Sequence, residues 1–282
     1  MQSQPPFDYV LHTASPFHHK FEDPVEDMLE PAIKGTTGIL KAIKAYAPEV
    51  KRVVVTSSFA AIVNADSHPK VYDESSWNPV TWDEAVAERS KTYRGSKVRT
   101  TDLPSHLHDT DMLLQKLAEK AAWDFVENEK PNFDVVTVNP PFVFGPVAHH
   151  LQSLDSLNTS NERIRDIVQG KMRDGVGPTG MYLWTDVRDL ALAHVRAIEV
   201  PEAGGKRFLV LAGYFTNKDL VEAVRARHPE IEDRLPKDVK SDLPEDVYGF
   251  DNSRVKKVLG VEFRSIEESI GDTATSLINL GA

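Results

Sequence analysis

The chain has no cysteine in its 282 residues. That removes disulfides, thiolate nucleophiles, cysteine-held zinc and iron–sulfur clusters together. Positive charge is also scarce: 33 lysines and arginines face 43 aspartates and glutamates, a formal net charge of −10. Such a balance provides no footprint for nucleic acid or an anionic membrane surface. No apolar run approaches the roughly 18 residues of a membrane span. The start, Met1-Gln2-Ser3-Gln4-Pro5-Pro6, has neither the basic nor the apolar part of a signal peptide. The histidine clusters are His18-His19, His106-x-His108 and His149-His150, none with metal-ligand spacing, so no bound metal is expected. These absences point to a cytoplasmic globular protein.

What is there alternates between short β-rich runs and helical stretches, the mark of a parallel α/β sheet. Residues 9–12, 52–58 and 135–138 read as buried strands. The unbroken Val53-Val54-Val55 run implies a sheet covered on both faces. Helical spacing predicts helices over 23–46, with Pro31, Gly35 and Gly38 marking a bend, and over 116–129. A polar, tryptophan-bearing loop fills 64–89. Beyond Gly145-Pro146 the elements shorten, at 162–168, 187–197, 207–211, 217–227 and 266–280, and the acidic stretch 230–245 reads as a solvated loop. The expectation is a parallel-sheet domain over 1–150 and a smaller α/β lobe over 151–282 with segments returning to the first domain.

Three pieces sit where strands end or helices begin, the place ligands occupy in open α/β sheets. They are Ser57-Ser58, Tyr93-Arg94-Gly95-Ser96-Lys97, and the run from Asn139-Pro140-Pro141-Phe142-Val143 to Pro146. Tyr93 and Lys97, at i and i+4, share a helix face. A free tyrosine, with a pKa near 10, is a poor acid–base at neutral pH. A lysine ammonium beside it favours the phenolate and draws the pKa toward the working range. A hydroxyl such as that of Ser58 can hold a carbonyl oxygen near the phenol. Together these groups match what hydride reduction of a carbonyl requires.

On these residues, and on Val10-Leu11-His12-Thr13-Ala14-Ser15-Pro16-Phe17, 53–61, 116–125, 139–146, 157–160, 186–189 and 251–270, the sequence resembles a known family. It is the extended short-chain dehydrogenase/reductase family, also described as the NAD-dependent epimerase/dehydratase family. Within it the chain is most similar to the fungal, methylglyoxal-reductase-like branch of NADPH-dependent aldehyde and ketone reductases. The tryptophans of the 64–89 loop favour that branch over the sugar epimerases. The resemblance implies an NAD(P)-binding Rossmann-like sheet with a substrate lobe, NADP(H) as cofactor and a small-molecule carbonyl as substrate. It implies Ser58 as the residue orienting the carbonyl, Tyr93 as proton donor, and Lys97 as the residue that binds the nicotinamide ribose and lowers the tyrosine pKa. It places Thr13, Ala14 and Ser15 along the cofactor, Pro140 and Val143 near the nicotinamide amide, and Ser160 as a further cofactor contact. Phe142, Tyr182 and Trp184 are read as walls of the carbonyl pocket, and Asp186 and Asp189 as helix braces.

Two departures stand against the family pattern. No G-x-x-G-x-x-G lies near the start, and the chain begins at what resembles the family's fourth strand, so the resemblance implies that roughly 70 residues of βαβ units are absent. In addition, residues 98–115 separate Lys97 from Lys116, which the family pattern joins directly. Valine codons begin GT and a glutamine codon ends AG, so this in-frame insertion reads as a retained intron. The expected function is therefore NADPH-dependent carbonyl reduction. One alternative is a catalytically impaired remnant or mis-spliced product of such a reductase, and another is a nucleotide-sugar epimerase or dehydratase.

Overall fold

A computed structural model describes residues 6–14, 30–81 and 106–282, with the backbone alone for 106–113. In chain order the strands are β1 (Tyr9–His12), β2 (Arg52–Thr56), β3 (Val71–Tyr72), β4 (Asp134–Asn139), β5 (Phe142–Phe144), β6 (Leu183–Asp186), β7 (Arg207–Leu209), β8 (Gly213–Tyr214) and β9 (Gly249–Phe250). The α-helices are α1 (Glu30–Tyr46), α2 (His106–Glu129), α3 (Thr159–Val168), α4 (Val187–Glu199), α5 (Asn217–Arg227) and α6 (Ile266–Asn279).

Two compact units emerge. The first contains the chain through Asn139 with His194–Leu209 and Tyr248–Leu259; the second contains Pro140–Ala193, Val210–Val247 and Gly260–Ala282. In the first, β1, β2, β4 and β7 form a four-stranded sheet in the order β1-β2-β4-β7, every pair parallel. Val53, Val54, Val135, Val136 and Val138 are all buried, as a doubly covered parallel sheet demands. Leu40 and Ile43 of α1 and Ala122 and Phe125 of α2 close over one face in a shared core with Val53, Val55 and Val135. At the edge, Tyr9 and Leu11 of β1 remain more than two-fifths exposed, as does Phe7 just before it.

Two elements differ from expectation. α1 runs through Pro31, Gly35 and Gly38 without a break. α2 starts at His106, ten residues ahead of the expected Lys116. Between Ser105 and Lys130 the chain has neither glycine nor proline, so nothing interrupts the helix there.

The second unit builds its own core. Leu157, Ile164 and Ile167, Leu220, Val221 and Val224, and Ile270, Ala274 and Leu277 pack with Phe144, Trp184 and Phe215. β5, β6 and β8 form its sheet. The acidic stretch 230–245 is more tied down than its charge implies. Ile231 and Leu235 are buried, and the Asp242 carboxylate accepts from Thr179 N (2.7 Å) and Thr179 Oγ1 (2.6 Å). Asp186 and Asp189 are helix braces: Asp186 accepts from Arg188 N (2.7 Å), and Asp189 accepts from Arg264 N (2.8 Å).

Buried charge binds the first unit together. Glu119 of α2 is 1% exposed. Its carboxylate accepts from Ser57 Oγ (2.6 Å), Asn139 Nδ2 (2.7 Å), Thr137 Oγ1 (2.8 Å) and Arg207 Nε (2.7 Å). One side chain thereby joins α2, β4, β7 and the end of β2. Burial pushes the Glu119 carboxyl up, but the Arg207 charge and these hydrogen bonds outweigh it and leave the group below the usual glutamate range. A second buried arginine, Arg52, donates to both oxygens of Asp134 (2.7 and 3.0 Å) and to the carbonyls of Ala197, Val200 and Pro201 (2.8, 2.7 and 3.0 Å). Gly204 lies against that pair: a Cβ there would collide with the Asp134 carboxylate and approach Arg52 Nη2 to 2.7 Å.

Gly204→Ala is therefore expected to cost about 2 kcal/mol of stability. Urea titration checks it, and an unmoved midpoint would contradict the close approach. Glu119 is depressed in the folded state, so the stability it contributes is complete above the unfolded glutamate value of about 4.3. That contribution is lost as pH falls through the lower folded value. Glu119→Gln should remove this part of the acid limb of a stability–pH curve and destabilise the protein by about 3 kcal/mol at neutral pH, because Arg207 loses its counter-charge.

Candidate active site

A cleft opens at the carboxyl ends of β1 and β2, lined by His12, Ala14, Thr36, Ser57, Gln115 and Glu119 among others. Parallel pairing sets His12 opposite Val55, so Thr13 and Ala14 leave β1 beside the point where Thr56 and Ser57 leave β2. This is where open α/β sheets bind ligands, because strand-end loops diverge there and expose their backbone. α1 contributes Ala32, Gly35 and Thr36 to one side. α2 contributes Gln115, Ala118 and Glu119, spaced i, i+3 and i+4 on one face. Burial holds the His12 imidazole below its ordinary pKa, which favours the neutral ring.

Ser57 and Ser58 play different parts. Ser57 is buried and donates to Glu119. Ser58 is half-buried and caps the short turn Phe59–Ala61, its Oγ accepting from Ala60 N at 3.1 Å. Its carbonyl accepts from Asn139 Nδ2 at 3.1 Å, and that amide is itself held by Glu119. Ser58 is thus fixed on both sides, through Asn139, to the buried carboxylate. Thr13 and Ala14 are exposed at the cleft mouth. Ser15, Tyr93 and Lys97 lie outside the described residues.

The second unit brings together two further candidates. Val143 N donates to Ser160 Oγ at 3.1 Å, joining β5 to the first turn of α3. Asn158 Nδ2 donates to Val143 O at 3.4 Å. Pro140 immediately follows β4, at the head of this unit. Of the three expected pocket walls, Trp184 is 3% exposed and packs against Phe144 within the core. Phe142 remains half-buried beneath the Arg163 guanidinium, 5.4 Å from the ring centre. Tyr182 donates its hydroxyl to Asp242 O at 3.0 Å. Burial, and then the Asp242 charge, raise its phenol pKa.

Glu119 and Arg207 escaped the reading of the sequence as functional residues, and Asn139 entered it only as the head of a strand-end run with no role of its own. Glu119 carried a readable signal: with Gln115, Ala118 and Ala122 it falls on one helical stripe, and a carboxylate on a stripe that reaches the core requires a buried partner. Arg207 carried none, since its partner is 88 residues away. Among the described residues no group of three or more His, Asp or Glu side chains could hold a metal, and no helix is long and apolar enough to cross a membrane.

No family model matches the chain. The ketoreductase azaE of Aspergillus niger is 52% identical over 280 residues, which cover 99% of this chain and 77% of that protein. The putative NADPH-dependent methylglyoxal reductase GRP2 of Candida albicans is 36% identical over 287 residues, covering 99% of this chain and 78% of that one. Among solved structures, the yeast methylglyoxal/isovaleraldehyde reductase Gre2 complexed with NADPH superposes with a TM-score of 0.82 at 32% identity, over 96% of this chain and 77% of that chain. With a Rossmann-type parallel sheet, a strand-end cleft and half its residues shared with a curated ketoreductase, the chain belongs to the extended short-chain dehydrogenase/reductase family, in its branch of fungal aldehyde and ketone reductases.

Proposed function

We propose that the chain carries out NADPH-dependent reduction of a small aldehyde or ketone, in the strand-end cleft and the loops beside it. The observation that supports this most is Ser58, held at the end of β2 by Ala60 N and Asn139 Nδ2. Its Oγ spends a lone pair on the Ala60 amide, so its single O–H remains suited to donate to a carbonyl oxygen. A residue fixed by two hydrogen bonds costs little reorganisation when charge develops on that oxygen.

Among the described residues, the exposed strand-end Thr13 and Ala14 and the capped hydroxyl of Ser58 suit the nicotinamide end of the cofactor. Thr13, Ala14 and Ser15 would run beside the ribose, and Pro140, Val143 and Ser160 would meet the nicotinamide. When bound, the cofactor supplies the hydride. Tyr93 then gives the proton to the carbonyl oxygen, and the Lys97 ammonium keeps that phenol acidic enough to do so. Phe142 and Tyr182 are the residues assigned to the substrate's apolar part, with Trp184 supporting them from the core. The epimerase alternative is less favoured, since the relatives above 30% identity described here are reductases.

Two substitutions test the reading. Tyr93→Phe should lower kcat for NADPH oxidation with an aldehyde panel by about 10²–10⁴-fold while NADPH affinity holds. Unchanged turnover would refute the assignment. Ser58→Ala should lower kcat by about 10²-fold, since it removes one oxyanion donor. A change confined to KM would point to ground-state binding alone.

A further inference from the structure

Among the described residues, every buried or half-buried arginine except one has a carboxylate oxygen within 4.0 Å. The exception is Arg163 of α3. Ser160 and Arg163, at i and i+3, share a face of that helix, and both meet β5. Ser160 Oγ takes the Val143 amide, and the Arg163 guanidinium lies over the Phe142 ring. Arg163 Nη1 donates to Thr179 O (3.1 Å) and to Asn217 Oδ1 (3.0 Å). No acceptor among the described residues meets its Nε or Nη2. The carboxylate whose charge reaches Arg163 is that of Asp242, and it is already engaged by Thr179 N and Thr179 Oγ1. Burial outweighs that charge and holds the guanidinium's pKa below its ordinary value. Tyr182 joins the same cluster by donating to Asp242 O.

A half-buried cation without a counter-charge in contact is costly. This one also keeps unused the Nε–Nη2 edge, which can hold a carboxylate through two parallel hydrogen bonds. We infer that Arg163 is a specificity-determining residue: its Nε–Nη2 edge, beside Phe142, receives the carboxylate of a carbonyl substrate, so that the chain takes oxo acids in preference to their neutral esters. The inference rests on the reading of Phe142 and Tyr182 as walls of the substrate pocket. Phe142 meets the carbon chain of the oxo acid, and the guanidinium over the ring meets its charged end. Thr179 O and Asn217 Oδ1 hold the guanidinium plane in place, so little side-chain freedom is lost when the carboxylate arrives. Reduction leaves that carboxylate unchanged. Its contact therefore strengthens ground state and transition state alike and is read in KM rather than in kcat.

The test follows NADPH oxidation by the full chain with pyruvate, acetoacetate and levulinate, each beside its methyl ester. Calorimetry with NADP+ present measures the binding of levulinate and of methyl levulinate. The unaltered chain should bind levulinate about tenfold tighter than the ester, the worth of one charged hydrogen bond. Arg163→Leu should raise KM for the acids about tenfold, while their kcat and both constants for the esters hold. Arg163→Lys should recover part of the loss, since it keeps the charge without the planar fork. The comparison of acid with ester needs no variant, so the inference stays exposed to refutation if Arg163→Leu does not fold. Equal binding of acid and ester by the unaltered chain overturns it. A loss in Arg163→Leu shared equally by acids and esters overturns it as well, because Arg163 would then only tie the lobe together. Turnover of none of these compounds, with acid binding still lost in Arg163→Leu, overturns the reductase reading and leaves the carboxylate site standing.

Discussion

The carboxylate of Glu119, paired with Arg207 inside the first unit, is the interaction on which the rest of that unit depends. A buried ion is expensive to desolvate, and its cost is met only when its lone pairs are filled with good geometry. Here they are filled from the end of β2, from β4 twice and from β7. The guanidinium on the other side lies 3.8 Å from the Trp77 ring centre and donates to the carbonyls of Glu74 and Ser76 at 2.7 Å each. Helix, sheet and the polar loop after β2 are thus referred to one pair of charges. The geometry of Ser58 follows from it through Asn139, so the position of this strand-end residue and the stability of the fold draw on the same network.

The second unit is held differently. Its centre is aromatic, with Phe144 and Phe215 edge to face at 5.0 Å and Phe142 edge-on to Phe215 at 5.7 Å. Its buried carboxylates pair with half-buried arginines, as where Arg188 bridges Asp186 and Asp272 at 2.8 Å each. The Val143–Ser160 hydrogen bond fixes the Val143 backbone amide against the first turn of α3.

Much of this was legible in the sequence, for identifiable reasons. The valine run of β2 and the alternation of strands and helices announced a covered parallel sheet, because β-branched residues on both faces have few other homes. The place of Ser58 just after a strand was legible, whereas the hydrogen bond between Val143 and Ser160 was not read, since each was singled out separately. The start of α2 was not: the polar, histidine-bearing segment before Lys116 lacks apolar period, yet it also lacks any residue that would stop a helix. The tie between Asp242 and Thr179 was hidden because charge density masked the buried Ile231 and Leu235. Glu119 and Arg207 show the deeper limit. The helical stripe marks Glu119 as a carboxylate in need of a partner, but local pattern does not say which residue that is when it lies 88 positions away.

The β1 edge bears on how this protein meets other chains. Among the described residues β1 pairs only with β2. Phe7, Tyr9 and Leu11 along it are exposed, and an edge of that kind is a template for a further strand. Covering it would remove the apolar stripe and the route to edge-to-edge association in one step.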